Sequence, residues 1–255
     1  MRLVTWNVNS IRQRHDRLLA LLARHSPDVV CLQETKVVDA DFPALALRAA
    51  GYESVTAGQK GYNGVAILAR TAVRDVRAGL RDGGDDSQAR LLAATVDGVR
   101  VITAYVPNGQ KVGSEKYAFK LEWYERLRKY LERECDPSAP LVLAGDFNVA
   151  PADLDVHDPA LWVGQIMCSE LERAALARLR EWGLIDSFRE KYPKLQAFTW
   201  WDYRLLGFPK NRGLRIDHLL LTPALYARLA DVAIDREERK GKGASDHAPV
   251  LATFA

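Results

Sequence analysis

Leu141-Val142-Leu143-Ala144-Gly145-Asp146-Phe147-Asn148 is an apolar run that passes directly into Gly, Asp and Asn. A short apolar run ended by turn residues is the pattern of a strand covered on both faces. The same design recurs elsewhere. Leu3 to Trp6 ends in Asn7, and Val29 to Leu32 ends in Gln33 and Glu34. Two later segments reverse the order: Asp217 stands near the start of Ile216 to Leu221, and Asp246-His247 leads into Ala248 to Phe254. If these two strands run antiparallel to the first three, every polar group collects at one rim of the molecule.

Further strands are predicted at Val65 to Leu68, Leu91 to Val96 and Val99 to Val106. Between Ser114 and Arg133, Tyr117, Leu121, Tyr124, Leu127 and Leu131 recur at helical spacing, so that stripe must face a sheet. Ser169 and Glu172 form a Ser-x-x-Glu capping box that opens a second helix. A third is expected from about Asp16 to Arg24. Two sheets with helices outside use all these segments, which predicts a layered α/β sandwich.

The chain has 255 residues, without internal repeat, low-complexity tract or evident linker, so one domain over 1–255 is expected. Apolar residues make up 48% and charged residues 27%, an ordinary composition for a soluble protein with a core. A net charge of +3 is too mild to mark a protein that coats nucleic acid. The chain starts directly in strand-like sequence, and no apolar run approaches the ~20 residues of a membrane span. A soluble, cytoplasmic protein without membrane contact is the expectation. Cys31, Cys135 and Cys168 are too few and too scattered for a disulfide framework or a zinc site.

An Asp after a strand is, taken singly, a turn or capping residue. The set is different. Glu34, Asp146, Asp217 and Asp246, with Asn7 and Asn148, supply hard oxygen ligands and amides, with His247 the one imidazole among them. Such a set suits Mg²⁺, or Mn²⁺ in its place, better than Zn²⁺. Mg²⁺ takes few protein carboxylates, leaving the others for proton transfer and orientation.

Six stretches together resemble the motif series of the exonuclease III family, which contains the abasic-site endonucleases within the wider endonuclease, exonuclease and phosphatase superfamily. They are Thr5-Trp6-Asn7-Val8-Asn9, Leu32-Gln33-Glu34-Thr35-Lys36, Tyr105-Val106-Pro107-Asn108-Gly109, Gly145-Asp146-Phe147-Asn148, Arg215-Ile216-Asp217 and Ser245-Asp246-His247-Ala248-Pro249. The resemblance implies a four-layer α/β/β/α sandwich with two mixed β-sheets, and a Mg²⁺-dependent phosphodiesterase that incises 5′ of abasic sites and trims 3′ ends. It implies Glu34 as principal metal ligand, with Asn7, Asp146, Asn148 and Asp246 completing the metal site. Asn7 would orient the carboxylates, and Asp246 would be an outer or second one. By the same resemblance, Asp146 aligns or deprotonates the attacking water, while Asn148 holds that water or the phosphate. Tyr105 would contact phosphate oxygens or support the leaving group, and Asp217 and His247 would form a pair facing the scissile phosphate. These roles meet the needs of phosphodiester hydrolysis: an in-line water, neutralised non-bridging oxygens and a stabilised leaving oxygen. Asn9 departs from relatives that carry Asp there, which removes one charge from the site.

The substrate depends on other segments. Phe198 to Arg204 and Lys210 to Arg215 interleave aromatics with Arg and Lys, a composition that can insert beside bases and pair with phosphates. Trp200, Leu214 and Ile216 fall where the family builds the pocket for a flipped-out, base-less sugar; core packing is the competing reading for the tryptophans. Asn108 either lies near the substrate phosphate or serves only the Asn-Gly turn. Arg212, Lys111, Lys116 and the basic run Arg236 to Lys242 either track a DNA backbone or are solvated. The implied partner is double-stranded DNA with abasic sites or 3′ ends, bound by a monomer because one face suffices. The alternatives are a catalytically inert nucleic-acid binder and a same-core enzyme for another phosphoester. Retention of the carboxylates and the Asp-His pair argues against the first, and the 198–215 loop against the second.

Overall fold

A computed structural model describes residues 1–255. Its strands are β1 Arg2–Asn7, β2 Val29–Gln33, β3 Glu53–Ala57, β4 Val65–Ala69, β5 Val73–Ala78, β6 Leu91–Val96, β7 Val99–Tyr105, β8 Leu141–Asp146, β9 Ile185–Asp186, β10 Trp200–Trp201, β11 Gly213–Leu214, β12 Asp217–Leu221, β13 Leu229–Ile234 and β14 Val250–Phe254. They form two six-stranded sheets, ordered β13-β14-β1-β2-β4-β3 and β5-β6-β7-β8-β12-β9, with β10 and β11 as a separate ribbon. Each large sheet is mixed: β1 and β2 are parallel in the first, β7 and β8 in the second, and the other pairs are antiparallel.

Strand alternation sorts the apolar side chains into three layers. Leu3, Val29, Cys31 and Ile67 from one sheet meet Val101, Val142, Ala144 and Leu219 from the other in the central core. Val4, Trp6, Val30 and Leu32 point outward onto Ile11, Leu18 and Leu21 of the helix Ile11–His25. Leu141, Leu143 and Ile102 point the other way, onto Trp123, Leu127 and Leu131 of the helix Glu115–Glu134 and Leu176 and Leu179 of the helix Glu170–Glu181. Four layers result, with helices outermost on both sides. No helix is long and apolar enough to cross a membrane.

The Ser169–Glu172 capping box forms as expected, with the Ser169 side chain accepting from the Glu172 N–H. The first helix begins at Ile11, five residues before the expected Asp16, because its entry is tied down by tertiary bonds. The Ser10 and Ile11 N–H groups donate to the carbonyls of Glu34 and Thr35 at 2.7 and 3.1 Å. The edge strands β3, β5 and β13 have no counterpart among the expected segments, nor do the two-residue strands β9, β10 and β11.

The rim arrangement follows from the pairing. β12 runs antiparallel to β8 and β14 antiparallel to β1, so Asp217 lies directly opposite Asp146 and the segment before β14 arrives beside Asn7. Parallel pairing sets Tyr105 beside Asp146 and Asn7 beside Gln33. Gly145 is required at the close approach of β7 and β8. Its φ is +145°, and a Cβ there would sit 1.9 Å from the Ala104 carbonyl oxygen.

Candidate active site

Two of the strand ends deliver a site residue on sharply bent backbone. Glu34 and Asn148 both have left-handed backbone, with φ of 52° and 51°, an uncommon conformation for residues with a Cβ. The loop after β2 is held by Thr35 and Lys36 N–H groups donating to the Gly64 and Asn63 carbonyls. Strain of this kind persists where surrounding bonds overdetermine it.

Asn7 sits at the centre. Its Nδ2 donates to Glu34 Oε1 at 2.8 Å and to Asp146 Oδ2 at 2.9 Å, while its Oδ1 accepts the Asn9 N–H at 3.0 Å. Because Oδ1 is held by a backbone donor, Asn7 orients the two carboxylates through its nitrogen. Asp146 Oδ1 accepts the Asn148 N–H at 2.9 Å. Asn148 Nδ2 donates to the Val106 carbonyl at 3.0 Å, and its Oδ1 accepts from Asn108 Nδ2 at 3.1 Å. Asn108 Oδ1 in turn accepts the Gln110 N–H, so its turn role and its site contact coexist.

On the other side, His247 Nδ1 donates to Asp217 Oδ2 at 2.9 Å, and His247 Nε2 lies 3.7 Å from Asp146 Oδ2. The His247 loop is anchored by Trp6 Nε1 to the His247 carbonyl and by Ser245 Oγ to the Asn7 carbonyl. Asp246 stands apart from the Glu34–Asp146–His247 cluster. It accepts from Asn9 Nδ2 at 2.8 Å and from Trp200 Nε1 at 3.0 Å.

Two residues near the site, Lys36 and Arg90, carried no role in the sequence, and a third, Asn9, stood out there only as a lost charge. Lys36 Nζ lies 2.9 Å from Glu34 Oε2 and donates to Asn9 Oδ1. Asn9 therefore links Lys36 to Asp246. Arg90 stacks on the Tyr105 ring at 4.7 Å and donates to its carbonyl. Asn9 and Lys36 lie inside motifs already singled out; Arg90 gives no local signal, since only the β6–β7 pairing brings it to Tyr105.

Burial pushes the Asp146 carboxyl up, Asp217 and Glu34 add to that push, and His247 and Asn7 oppose it; the net shift is upward, toward neutrality. Burial alone would lower His247, but Asp217 and then Asp146 outweigh it, so its pKa is raised and the ring is an imidazolium near neutral pH. Tyr105 is pushed well up by burial and then by Glu34 and Asp146, and remains a neutral phenol. For Asp246, burial is outweighed by His247 and by bonds from Asn9 and Trp200, which hold it low.

Ligand atoms of Glu34, Asp146 and His247 all lie within 4.8 Å of one another. A protonated imidazole has no lone pair for a metal, which leaves the hard oxygens of Glu34 and Asp146. That donor chemistry fits a hard divalent cation that keeps most of its waters. The site thus combines a buried carboxylate of raised basicity, an imidazolium, an amide and a cation-binding pair, the equipment for hydrolysing a phosphoester.

Away from this centre, Leu214 and Ile216 are fully buried in a cluster with Met167, Cys168, Val156 and Ala150, and Trp200 packs against it half-exposed. Trp200 pairs with Leu214 through β10 and β11. Trp200 and the exposed Arg212 also line a cavity of about 320 Å³ shared with Trp162 and Leu205. Lys111 is exposed on the approach to the helix Glu115–Glu134, and Lys116 is exposed in its first turn. Trp201 is buried against Phe198. Within the basic run 236–242, Arg239 is buried, stacked on Tyr203 and Phe208 at 4.9 and 5.2 Å, and is withdrawn from a polyanion, whereas Arg236 stacks on Phe208 at 4.7 Å and stays exposed.

The endonuclease/exonuclease/phosphatase family matches residues 4–247. The chain is 39% identical to the exodeoxyribonuclease III of Haemophilus influenzae, with all of both chains covered. A solved 3′ phosphatase from Neisseria, bound to a product DNA hairpin, superposes with a TM-score of 0.97 at 45% identity, covering 100% of this chain and 99% of that one. An AP endonuclease from Archaeoglobus fulgidus superposes with a TM-score of 0.96 at 39% identity, with coverage of 100% and 99%. With six motifs in register, the same two-sheet frame and full-length relatives, the chain belongs to the endonuclease/exonuclease/phosphatase family, in its exodeoxyribonuclease III branch, and is a hydrolytic nuclease.

Proposed function

We propose that this nuclease is a Mg²⁺-dependent DNA phosphodiesterase of base-excision repair that incises 5′ of abasic sites and trims 3′ ends, working as a monomer on duplex DNA. The single observation that carries the reading is the buried Asp217–His247 pair with His247 Nε2 3.7 Å from Asp146. It presents a fixed cation beside a fixed base. In this reading Asp146 draws the proton from the attacking water, and Asn148 aligns that water. His247 and the phenol of Tyr105 donate toward phosphoryl oxygens, where negative charge grows. Glu34 and Asp146 would hold the cation, Asn7 keeping both carboxylates oriented; bound there, Mg²⁺ would neutralise charge on the phosphate. Asn108, Lys111 and Arg212 would meet the DNA backbone, and Trp200 would form the accessible wall beside a displaced sugar.

A second reading gives greater weight to 3′-end trimming. Leu214 and Ile216 have no exposed surface, and Met167 packs into the same cluster, so a flipped sugar meets Trp200 and no open apolar pocket. The solved 3′ phosphatase from Neisseria supports the same weighting.

Both readings are tested by gel-resolved cleavage of labelled duplexes with Mg²⁺ or with EDTA. One carries a synthetic abasic site, one a recessed 3′ end, one a 3′ phosphate, and one is intact. Metal-dependent incision 5′ of the lesion supports the first reading. Trimming of 3′ ends without incision supports the second. DNA retention with no cleavage under either metal would overturn both in favour of an inert binder.

A further inference from the structure

Lys120 and Glu172 are both fully buried and face each other between the helices Glu115–Glu134 and Glu170–Glu181. An ammonium has three N–H donors and no acceptor. All three are used, each on a different segment: Lys120 Nζ donates to Glu172 Oε1, to the Asn148 carbonyl at 2.7 Å and to the Asn108 carbonyl at 3.1 Å. Glu172 is equally committed. Oε1 also accepts the Met167 N–H at 3.0 Å, and Oε2 accepts the Ser169 N–H and Oγ at 3.1 and 2.6 Å.

We infer that this buried ion pair is a positioning device that sets the two site asparagines and the Met167–Ser169 segment in one fixed relation. Burying two charges is a poor way to gain stability, since a well-packed apolar pair of similar volume is often as good or better. What the pair supplies is direction. The carbonyls it grips belong to the residues whose side-chain amides meet, Asn108 Nδ2 to Asn148 Oδ1. Asn148 needs such restraint, because it holds a left-handed backbone while its N–H fixes Asp146 Oδ1. The other arm reaches Met167, which packs beside Ile216, Leu214 and Trp200. Lys120 and Glu172 thus act through Asn148, Asn108 and Met167 without touching the substrate.

The inference rests on the nuclease reading for its kinetic arm only. The variants are Lys120→Met, Glu172→Gln, and the two together, the double variant leaving no unpaired buried charge. Cleavage of a recessed duplex with Mg²⁺ gives kcat and KM. The side-chain amide resonances of Asn108 and Asn148, read by ¹⁵N NMR on the metal-free protein, report position without any activity. Lys120→Met and the double variant are expected to lose about 10–100-fold in kcat, the scale of a small misplacement of catalytic groups, with KM nearly unchanged. Glu172→Gln, which leaves both carbonyl contacts of Lys120 in place, is expected to lose less. The amide resonances should move in the same order. A merely structural pair predicts the opposite for the double variant: recovered melting temperature, wild-type kcat and unmoved amides, and that result overturns the inference. Failure of both Lys120 variants to fold would overturn it too, because a positioning role requires the frame to survive the loss. If the wild-type protein cleaves no DNA, the nuclease reading fails while the amide resonances still decide this one.

Discussion

Replacing Asp217 by Asn keeps the shape of the His247 partner and removes its charge. The two carboxylate oxygens lie 2.9 and 3.1 Å from His247 Nδ1, with both side chains almost wholly buried. Unit charges about 4 Å apart interact by about 4 kcal/mol at an effective dielectric constant of about 20. At 1.36 kcal/mol per pKa unit that is about three units, which local relaxation reduces to about two. Burial already disfavours the charged ring, so without Asp217 only the attraction of Asp146 and Asp246 keeps it protonated. The sign is definite. The folded pKa of His247 is raised, so its stabilisation is fully present below the unfolded value and is lost as pH rises through the folded one. In Asp217→Asn that loss moves to lower pH. Imidazole titration by NMR on metal-free protein should show the His247 midpoint down by about two units, and cleavage with Mg²⁺ at neutral pH should fall by about 10²–10³-fold. A midpoint displaced by less than one unit, or activity within a few-fold of wild type, would refute the assignment of Asp217 as the charge that sustains the imidazolium.

Asn7→Ala removes the amide that orients Glu34 and Asp146 and should weaken Mn²⁺ binding by about 10–100-fold in calorimetric titration, the usual effect of losing an orienting partner; unchanged affinity would count against that role. Gly145→Ala must displace the Ala104 carbonyl and strain the backbone, for a loss of at least about 3 kcal/mol in urea unfolding, and a near-normal midpoint would show that β7 and β8 can separate without cost. Acid should weaken the fold in two steps. His218 is held below its ordinary range by burial and then Arg215, so the unfolded chain takes up its proton first as pH falls below about 6.5. For Asp186, burial is outweighed by Arg215 and His218 and the pKa is lowered, so its contribution is lost further down, as pH falls from about 4 through the folded value. Urea midpoints that stay flat from pH 7 to 5 would contradict the first step.

The central strands were legible because β1, β2, β4 and β8 are buried on both faces and read as unbroken apolar runs. The helix Glu115–Glu134 declared itself by period, and the next by its capping box. Strands β3, β5 and β13 did not, because half-exposed strands near a sheet edge tolerate charged side chains and lose the signal. Chemistry was legible in the same local way. Each of Glu34, Asp146, Asp217 and His247 is by itself an ordinary residue at a strand end, but their order relative to each apolar run already implied one shared rim, and the set carried the chemistry.

Identity, polarity and period lie in neighbouring residues, so the sequence by itself determined the layers, the rim and the family of the site. Distances between segments far apart in the chain do not lie there. That Asn7 offers its nitrogen to both carboxylates, and that Asp246 belongs to Asn9 and Trp200, are matters of strand register. Glu172 was legible only as a capping-box residue and Lys120 carried no local signal; the packing of the two helices buries both and turns them onto the site loops. Leu214 and Ile216 were placed by the family resemblance where a sugar pocket forms; that both lack exposed surface and share a cluster with Met167 and Cys168 was decided by the tertiary structure, because which distant segments join an apolar cluster is not written in neighbouring residues.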